Sequence, residues 1–178
     1  MTRRRNILVA LVTALAVANL AWLGLSRSAE HERVAVAGRV TLLDKPFRNP
    51  FPNAGEVRLF VETDYDAKSE PIYSKPRGRI LTASQRAEFE SLIAVHTISP
   101  DEMFAACFIP HHFFRYFDET GRQVGEVQVC FCCAGVQQSN GSNVRLTEGQ
   151  MLVADWGKLH SFITALGERT DVQCEGQS

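Results

Sequence analysis

The sequence predicts an α+β fold: a small antiparallel sheet with a Cys/His-bearing hairpin and two packed helices, preceded by one N-terminal hydrophobic helix. Three observations predict it. Short apolar segments of strand length alternate with turn-forming residues, two later segments repeat their apolar residues at helical spacing, and a glycine-containing turn separates two aromatic segments. The chain has 178 residues, which fits one domain once a targeting segment is set apart.

Residues 1–29 have the composition of a secretory signal or a membrane anchor. An arginine triplet at positions 3–5 precedes an apolar run over residues 7–25. About 20 apolar residues can cross a bilayer, and a basic lead on such a run is typical of both kinds of segment. Because Arg27 occupies the position where a cleavage site before Glu30 needs a small residue, we expect a retained anchor, with a cleaved signal as the alternative.

These features predict a location and exclude one class of partner. We expect residues 30–178 to form a single exported domain, at the bacterial inner membrane facing the periplasm or in the periplasm after cleavage. Setting residues 1–29 aside removes four arginines and changes the formal charge from −1 to −5. A mildly acidic domain without a basic stripe predicts no nucleic-acid binding. The predicted partner is the membrane, through residues 7–25, and the sequence specifies no protein partner.

The first half of the exported segment predicts strands and loops. Residues 34–36 and 40–43 are expected to pair as a hairpin around Gly38. The proline-rich stretch 45–53 and the polar stretch 64–79 are expected to be loops. Between them, residues 56–63 predict a strand whose valine and leucine side chains alternate onto one face.

Two helices and a further strand are predicted in the rest of the chain. Thr82 and Gln85 have the spacing of a capping box, which predicts a helix over residues 83–96. A strand near 144–154 and a helix over 156–166 follow, and Gly167 is the expected C-cap. The apolar stripe of the first helix comprises Phe89, Leu92, Ile93 and His96, with His96 at the helix end near the core.

Residues 103–133 predict the Cys/His-bearing hairpin, with a turn at 118–121 in which Gly121 supplies a positive φ. In such a hairpin, the numbers of two residues that face each other across the strands sum to about 239, which sets Cys107 opposite Cys132. Alternation of side chains places Cys107, Ile109, His111, Cys130 and Cys132 on one face, with His112 and Cys133 on the other. Pro110 cannot join the ladder and favours a bulge, so which histidine turns inward stays open.

Thiolate and imidazole groups are ligands for zinc and copper, so the hairpin is a candidate metal site. With a bulge at Pro110, three sulfurs and one imidazole match tetrahedral zinc ligation, and copper(I) is the other metal considered. The candidate metal ligands are Cys107, His111, His112, Cys130, Cys132 and Cys133.

Disulfide bonding is the competing interpretation, because exported cysteines commonly pair. Cys107 with Cys132 or Cys130, and Cys133 with Cys174, would tie the sheet together. In a third interpretation, His111 or His112 activates a cysteine nucleophile. We expect neither thioredoxin-like exchange nor c-type haem attachment, assign no catalytic residue, and favour a non-enzymatic role.

Two paired segments of the hairpin resemble an uncharacterised bacterial family of exported or membrane-anchored proteins. The segments are Cys107-Phe108-Ile109-Pro110-His111-His112 and Val129-Cys130-Phe131-Cys132-Cys133. The family pattern is Cys-x-x-Pro-(Arg/His)-His followed by a Cys-Phe-x-Cys return, and it covers about residues 105–135. The resemblance implies that the matching positions matter, with Cys132 as an additional cysteine, and it implies no reaction. The matching positions are Cys107, Pro110, His112, Cys130 and Cys133.

Overall fold

A computed structural model describes residues 45–102 and 107–172, which belong to a compact unit spanning Gly38–Ser178. These residues form an antiparallel sheet with two helices, which confirms the α+β class. The N-terminal hydrophobic helix and the hairpin expected around Gly38 lie outside the described residues. Within the described ranges, neither helix is long and apolar enough to cross a membrane.

Nine strands and two helices make up this part of the chain. The strands are β1 (Lys45–Pro46), β2 (Glu56–Tyr65), β3 (Pro71–Tyr73), β4 (Arg79–Ile80), β5 (Ile93–Thr97), β6 (His112–Phe117), β7 (Gln123–Cys130), β8 (Gly135–Gln138) and β9 (Gln150–Ala154). The helices are α1 (Ala83–Ser91) and α2 (Trp156–Ala165). The spatial order is β1-β5-β9-β8-β7-β6-β2-β3, and β4 also pairs with β2.

Both helices begin at a side-chain N-cap, and the cap of the first helix is the predicted one. The Gln85 backbone N–H donates to Thr82 Oγ1 (3.2 Å), and the Thr82 N–H donates to Gln85 Oε1 (2.9 Å), which is the expected capping box. Asp155 caps α2 by accepting the Lys158 N–H at 3.1 Å. Gly167, with φ of 72°, follows the last turn of α2 in the left-handed conformation that a glycine C-cap adopts.

The core lies between the helices and one face of the sheet. The ring of Phe89 on α1 stacks on Phe114 of β6, with 3.5 Å between centroids, and Phe162 of α2 lies 6.3 Å from Phe89. Side chains alternate along β6, so Phe114, Tyr116 and His112 are all buried on this helix-covered face. The site described below lies at the His112 end of the same strands.

Several predicted element boundaries were wrong. The helix expected over 83–96 ends at Ser91, and Ile93–Thr97 instead forms β5, which pairs with β9 over five residues. The run Ile93-Ala94-Val95 is buried on both faces between β1 and β9, where a strand fits better than a helix. His96 therefore lies in a strand, with its Nε2 2.9 Å from Glu102 Oε1, rather than at a helix end.

Other corrections concern strands and loops. Two short strands, β1 and β3, lie within the stretches 45–53 and 64–79 expected to be loops, and β4 begins at the last residue of the second stretch. The strand predicted near 144–154 is confined to β9, while β8 forms where no strand was predicted. These strands are only two to five residues long, so their pairing with neighbours, rather than any periodicity of their own, decides their structure.

Candidate functional site

The predicted hairpin turn is correct, but the ladder is shorter than expected. Gly121 has φ of 79°, and β6 and β7 pair from His112↔Val129 to Phe117↔Gln123 with a bulge between Tyr116 and Phe117. Because β6 begins at His112, Cys107 lies outside the strand and is not set opposite Cys132. Pro110 explains the late start, since it has no N–H to give to a ladder.

A disulfide joins Cys130, the last residue of β7, to Cys133 in the turn that leads into β8. Their Cα atoms are 5.7 Å apart. Ala134 then takes a positive φ of 47°, and Gly135 pairs back with Cys130. The disulfide therefore closes the β7–β8 turn, and its pairing differs from both sequence expectations, which joined Cys130 to Cys107 or Cys133 to Cys174.

Cys130 and Cys133 also form a Cys-x-x-Cys pair, which sequence reasoning missed. The run Cys130-Phe131-Cys132-Cys133 contains that spacing. Alternation along a strand instead pointed to Cys130 and Cys132, two residues apart on one face, as the neighbouring ligands. The expectation against thioredoxin-like exchange overlooked this spacing. The spacing itself was the available signal.

Cys132, in the same turn, is also disulfide-bonded. Its Sγ lies 3.7 Å from the carbonyl oxygen of Val172, in the segment that follows α2. Val172 is buried in the core cluster. The Cys174 position expected to form a disulfide lies outside the described residues.

His111 is buried against a carboxylate. Its Nδ1 lies 3.1 Å from Glu62 Oε1, and the exposed fractions of the two residues are 5% and 4%. The Glu62 backbone N–H also donates to the His111 carbonyl at 2.8 Å, which extends the β2–β6 pairing by one residue. Two contacts thus fix the imidazole on the β2 side of the hairpin.

His112 is buried on the helix-covered face. Its Nε2 donates to the Arg169 carbonyl oxygen at 2.6 Å, and its ring meets the edge of Phe131 at 4.9 Å. Burial is the main reason that the pKa of His112 falls to about 4, so the ring is neutral at pH 7. Within the described ranges its Nδ1 has no hydrogen-bond partner.

Both histidine side chains are buried, so the sequence question of which one turns inward has no single answer. Each imidazole is engaged elsewhere, His111 with Glu62 and His112 with Arg169. In the part of the chain that the structure describes, no group of three or more His, Cys, Asp or Glu side chains is placed to hold one metal ion. Zinc or copper binding by this cluster stays a prediction.

A cleft of about 400 Å³ opens beside the disulfide loop. Cys133 and Cys107 both line it, together with Phe108 and the amide side chains of β8. Phe108 covers Gly135 so closely that a Cβ at this glycine would lie 2.6 Å from the phenylalanine ring. The segment before β6 is thereby held against the loop that contains the disulfide.

The cleft lies where two neighbouring strands separate. β8 and β9 pair at one position only, Val136↔Leu152. Beyond that pair, Gln137 and Gln138 of β8 and Gln150 and Met151 of β9 line the cleft. The sheet is therefore open along the part of the β8–β9 junction beyond Val136, on the side away from Cys133, and the cleft extends from this opening to Cys133.

Comparisons with known proteins add no relative. No family model, curated protein or solved structure matches the chain.

Proposed function

We propose that the protein is an exported or membrane-anchored domain, stabilised by disulfides, that acts by binding a partner through the cleft at Cys133. The observation that carries the proposal is the Cys130–Cys133 disulfide, since stable disulfides are typical of compartments outside the cytoplasm. The arginine triplet and the apolar run over residues 7–25 support export or anchoring at the inner membrane, facing the periplasm.

The second disulfide is proposed to join Cys132 to Cys174. Cys132 is disulfide-bonded, and its Sγ lies near the Val172 carbonyl, two residues before Cys174 in the sequence. This bond would tie the segment after α2 to the β7–β8 loop. It replaces the Cys133–Cys174 pairing expected from the sequence, because Cys133 is bonded to Cys130.

A thiol count tests the proposal. The chain has five cysteines, so two disulfides leave one thiol that reacts after denaturation without reductant. A count of five in protein purified from its exported location would reject disulfide stabilisation. Extraction of the native membrane fraction with alkaline carbonate separates the two locations, because an anchored chain stays with the membrane and a cleaved one is released.

Metal binding by the reduced protein is the second candidate function. It is favoured by one observation, that Cys107 and Cys133 line the same cleft. Reduction would release the Cys130 and Cys133 thiolates beside Cys107, and three sulfur ligands suit copper(I) or zinc. Metal analysis of reduced protein prepared without added metal tests it: about one equivalent supports binding, and less than about a tenth of an equivalent rejects it.

A further inference from the structure

We propose that Cys130 and Cys133 are a redox-active pair that exchanges with a cysteine-bearing peptide seated in the cleft. The inference rests on the proposed disulfide-stabilised exported domain and assigns thiol–disulfide chemistry to its cleft. Four features carry it: the Cys-x-x-Cys spacing, the unequal burial of the two cysteines, the position of His111, and the opening between β8 and β9.

The two cysteines differ in access. Cys130 is 1% exposed and ends a central strand, whereas Cys133 is partly exposed and lines the cleft. A thiolate breaks a disulfide by attacking one sulfur in line with the S–S bond, and the other sulfur leaves. A thiol in the cleft therefore reaches Cys133, and Cys130 is the leaving group.

The exchange balances with a peptide that carries two thiols. The first peptide thiolate attacks Cys133 Sγ, forms a mixed disulfide with it, and releases Cys130 as a thiolate. The second peptide thiolate then attacks the peptide sulfur of the mixed disulfide, which closes a peptide disulfide and releases Cys133 as a thiolate. Two electrons pass from the peptide to the Cys130–Cys133 pair, and the two peptide thiol protons end on Cys130 and Cys133.

A buried imidazole lies one residue beyond the ladder that leads to the leaving cysteine. The last β6–β7 pair is His112↔Val129, and His111 and Cys130 are the next residues of the two segments. Directly opposed residues of an antiparallel pair have Cβ atoms about 5 Å apart, so continuation of this register would bring His111 close to Cys130. Glu62, 3.1 Å from His111 Nδ1, fixes the ring. We assign His111 the transfer of the proton that Cys130 takes up, and Glu62 is a positioning residue.

The shape of the cleft favours an extended peptide as the occupant. Beyond the single pair Val136↔Leu152 the two strands are separated, and an extended segment can pair with strands at such an opening and continue along the cleft to Cys133. The Gln137 amide side chain lines a wall and can bond to a peptide backbone, whereas Gln138 Nε2 already donates to the Val144 carbonyl and Gln150 Oε1 already accepts the Thr147 N–H. Phe108 and Met151 supply apolar contact for its side chains.

Two matched variants of the full chain in detergent test the assignment. Cys130→Ser leaves a thiol in the cleft at Cys133, and Cys133→Ser leaves a buried thiol at Cys130, while both remove the same disulfide. The probe is a ten-residue peptide closed by its own disulfide, with glutathione disulfide as a small reference. We expect Cys130→Ser to form a mixed disulfide with the peptide at least about tenfold faster than Cys133→Ser, because only its thiol reaches the cleft.

The wild-type chain supplies an internal reference that needs no variant. The reduced peptide should open Cys130–Cys133 at least about tenfold faster than the disulfide of Cys132 in the same molecule, as measured by alkylation and peptide mapping. Equal rates for the two disulfides, or equal trapping by the two variants, would overturn the proposal.

Mapping before the peptide is added separates the two claims. If the Cys130–Cys133 bond is present but does not exchange, the redox inference fails and the disulfide-stabilised domain stands. If the bond is absent, both fail. A His111→Gln variant should slow the opening of the bond and change its pH profile, whereas a purely structural role for His111 would leave that profile unchanged.

Discussion

His111 and Glu62 form a buried pair at the end of the β2–β6 ladder, with 3.1 Å between the imidazole Nδ1 and the carboxylate Oε1. Both side chains are almost fully excluded from solvent. A buried polar atom that loses its partner costs about 1–3 kcal/mol, more than the bond itself contributes on average. The pair is therefore a sensitive point for stability as well as for the orientation of the ring.

Glu62→Ala should lower the free energy of unfolding by about 1–3 kcal/mol, because it leaves His111 Nδ1 buried without a partner. Glu62→Gln, which keeps an oxygen acceptor at the same position, is the matched control and should lose clearly less. Urea unfolding of the two variants measures the difference. Equal losses would show that the acceptor at residue 62 does not stabilise His111.

The stability of the protein should fall at acid pH because of His112. Its pKa is about 4 in the folded chain, mainly through burial, with the Arg169 carbonyl and Glu168 raising it and His111 lowering it. The ordinary pKa of a histidine side chain is 6.5, so between pH 6.5 and 4 the unfolded chain binds a proton that the folded chain does not. The stabilisation is complete above pH 6.5, and about 3 kcal/mol is lost as the pH falls to 4.

His112→Gln isolates this contribution. Other titrating groups affect both proteins alike, so the wild type should lose about 2–3 kcal/mol more than the variant between pH 7.5 and pH 4.5. The measurement is urea unfolding at the two pH values. Identical pH dependence in both proteins would contradict the buried, neutral state of His112.

Gly135→Ala should disturb the wall of the cleft. The new Cβ would lie 2.6 Å from the Phe108 ring, so the segment before β6 must move. We expect a loss of about 1–3 kcal/mol, typical of overpacking. Gly157→Ala in α2 has room for its Cβ and should be neutral or stabilising by up to about 1 kcal/mol.

A Phe108→Ala background tests the cause of the Gly135→Ala effect. With the ring removed, the cost of adding the Cβ at residue 135 should largely disappear in a double-mutant cycle. If the cost persists without the ring, the contact between Phe108 and Gly135 is not what limits this position.

The two proposed disulfides should differ in their effect on stability. In the chain-entropy account, a bond between residues 132 and 174 constrains the unfolded chain more than one across a separation of three residues. Cys132→Ser should therefore cost about 2 kcal/mol more than Cys133→Ser, measured by urea unfolding under conditions that prevent thiol exchange. A larger loss in Cys133→Ser would contradict the Cys132–Cys174 assignment.

Local signals predicted the parts of the fold that depend on few residues. The Thr82–Gln85 capping box and the Gly121 turn each follow from backbone requirements that only certain side chains satisfy. The end of α1 did not follow, because Phe89, Leu92, Ile93 and His96 fit a helical stripe equally well. Pairing of Ile93–Thr97 with β9, a contact distant in sequence, decides for a strand.

The sequence indicated which residue types cluster in this region, but not how the structure arranges them. The sequence singled out Cys107, Cys130 and Cys133 as candidate residues of one region, and Cys107 and Cys133 line one cleft. Extending the β6 ladder back to Cys107 was the error, and it paired the wrong cysteines. Burial of both histidines depends on Glu62 and on the segment at Arg169, which are 49 and 57 residues away and invisible to local spacing.

The central claim is that the sulfur cluster is bonded within the protein in its native location. Purify the full chain from the membrane or periplasm, block its thiols in denaturant without reductant, and map the digested peptides by mass spectrometry. The account predicts one blocked cysteine among the five, a closed Cys130–Cys133 loop, and a peptide joined to Cys132. Five blocked cysteines, accompanied by a stoichiometric metal in the native protein, would contradict it.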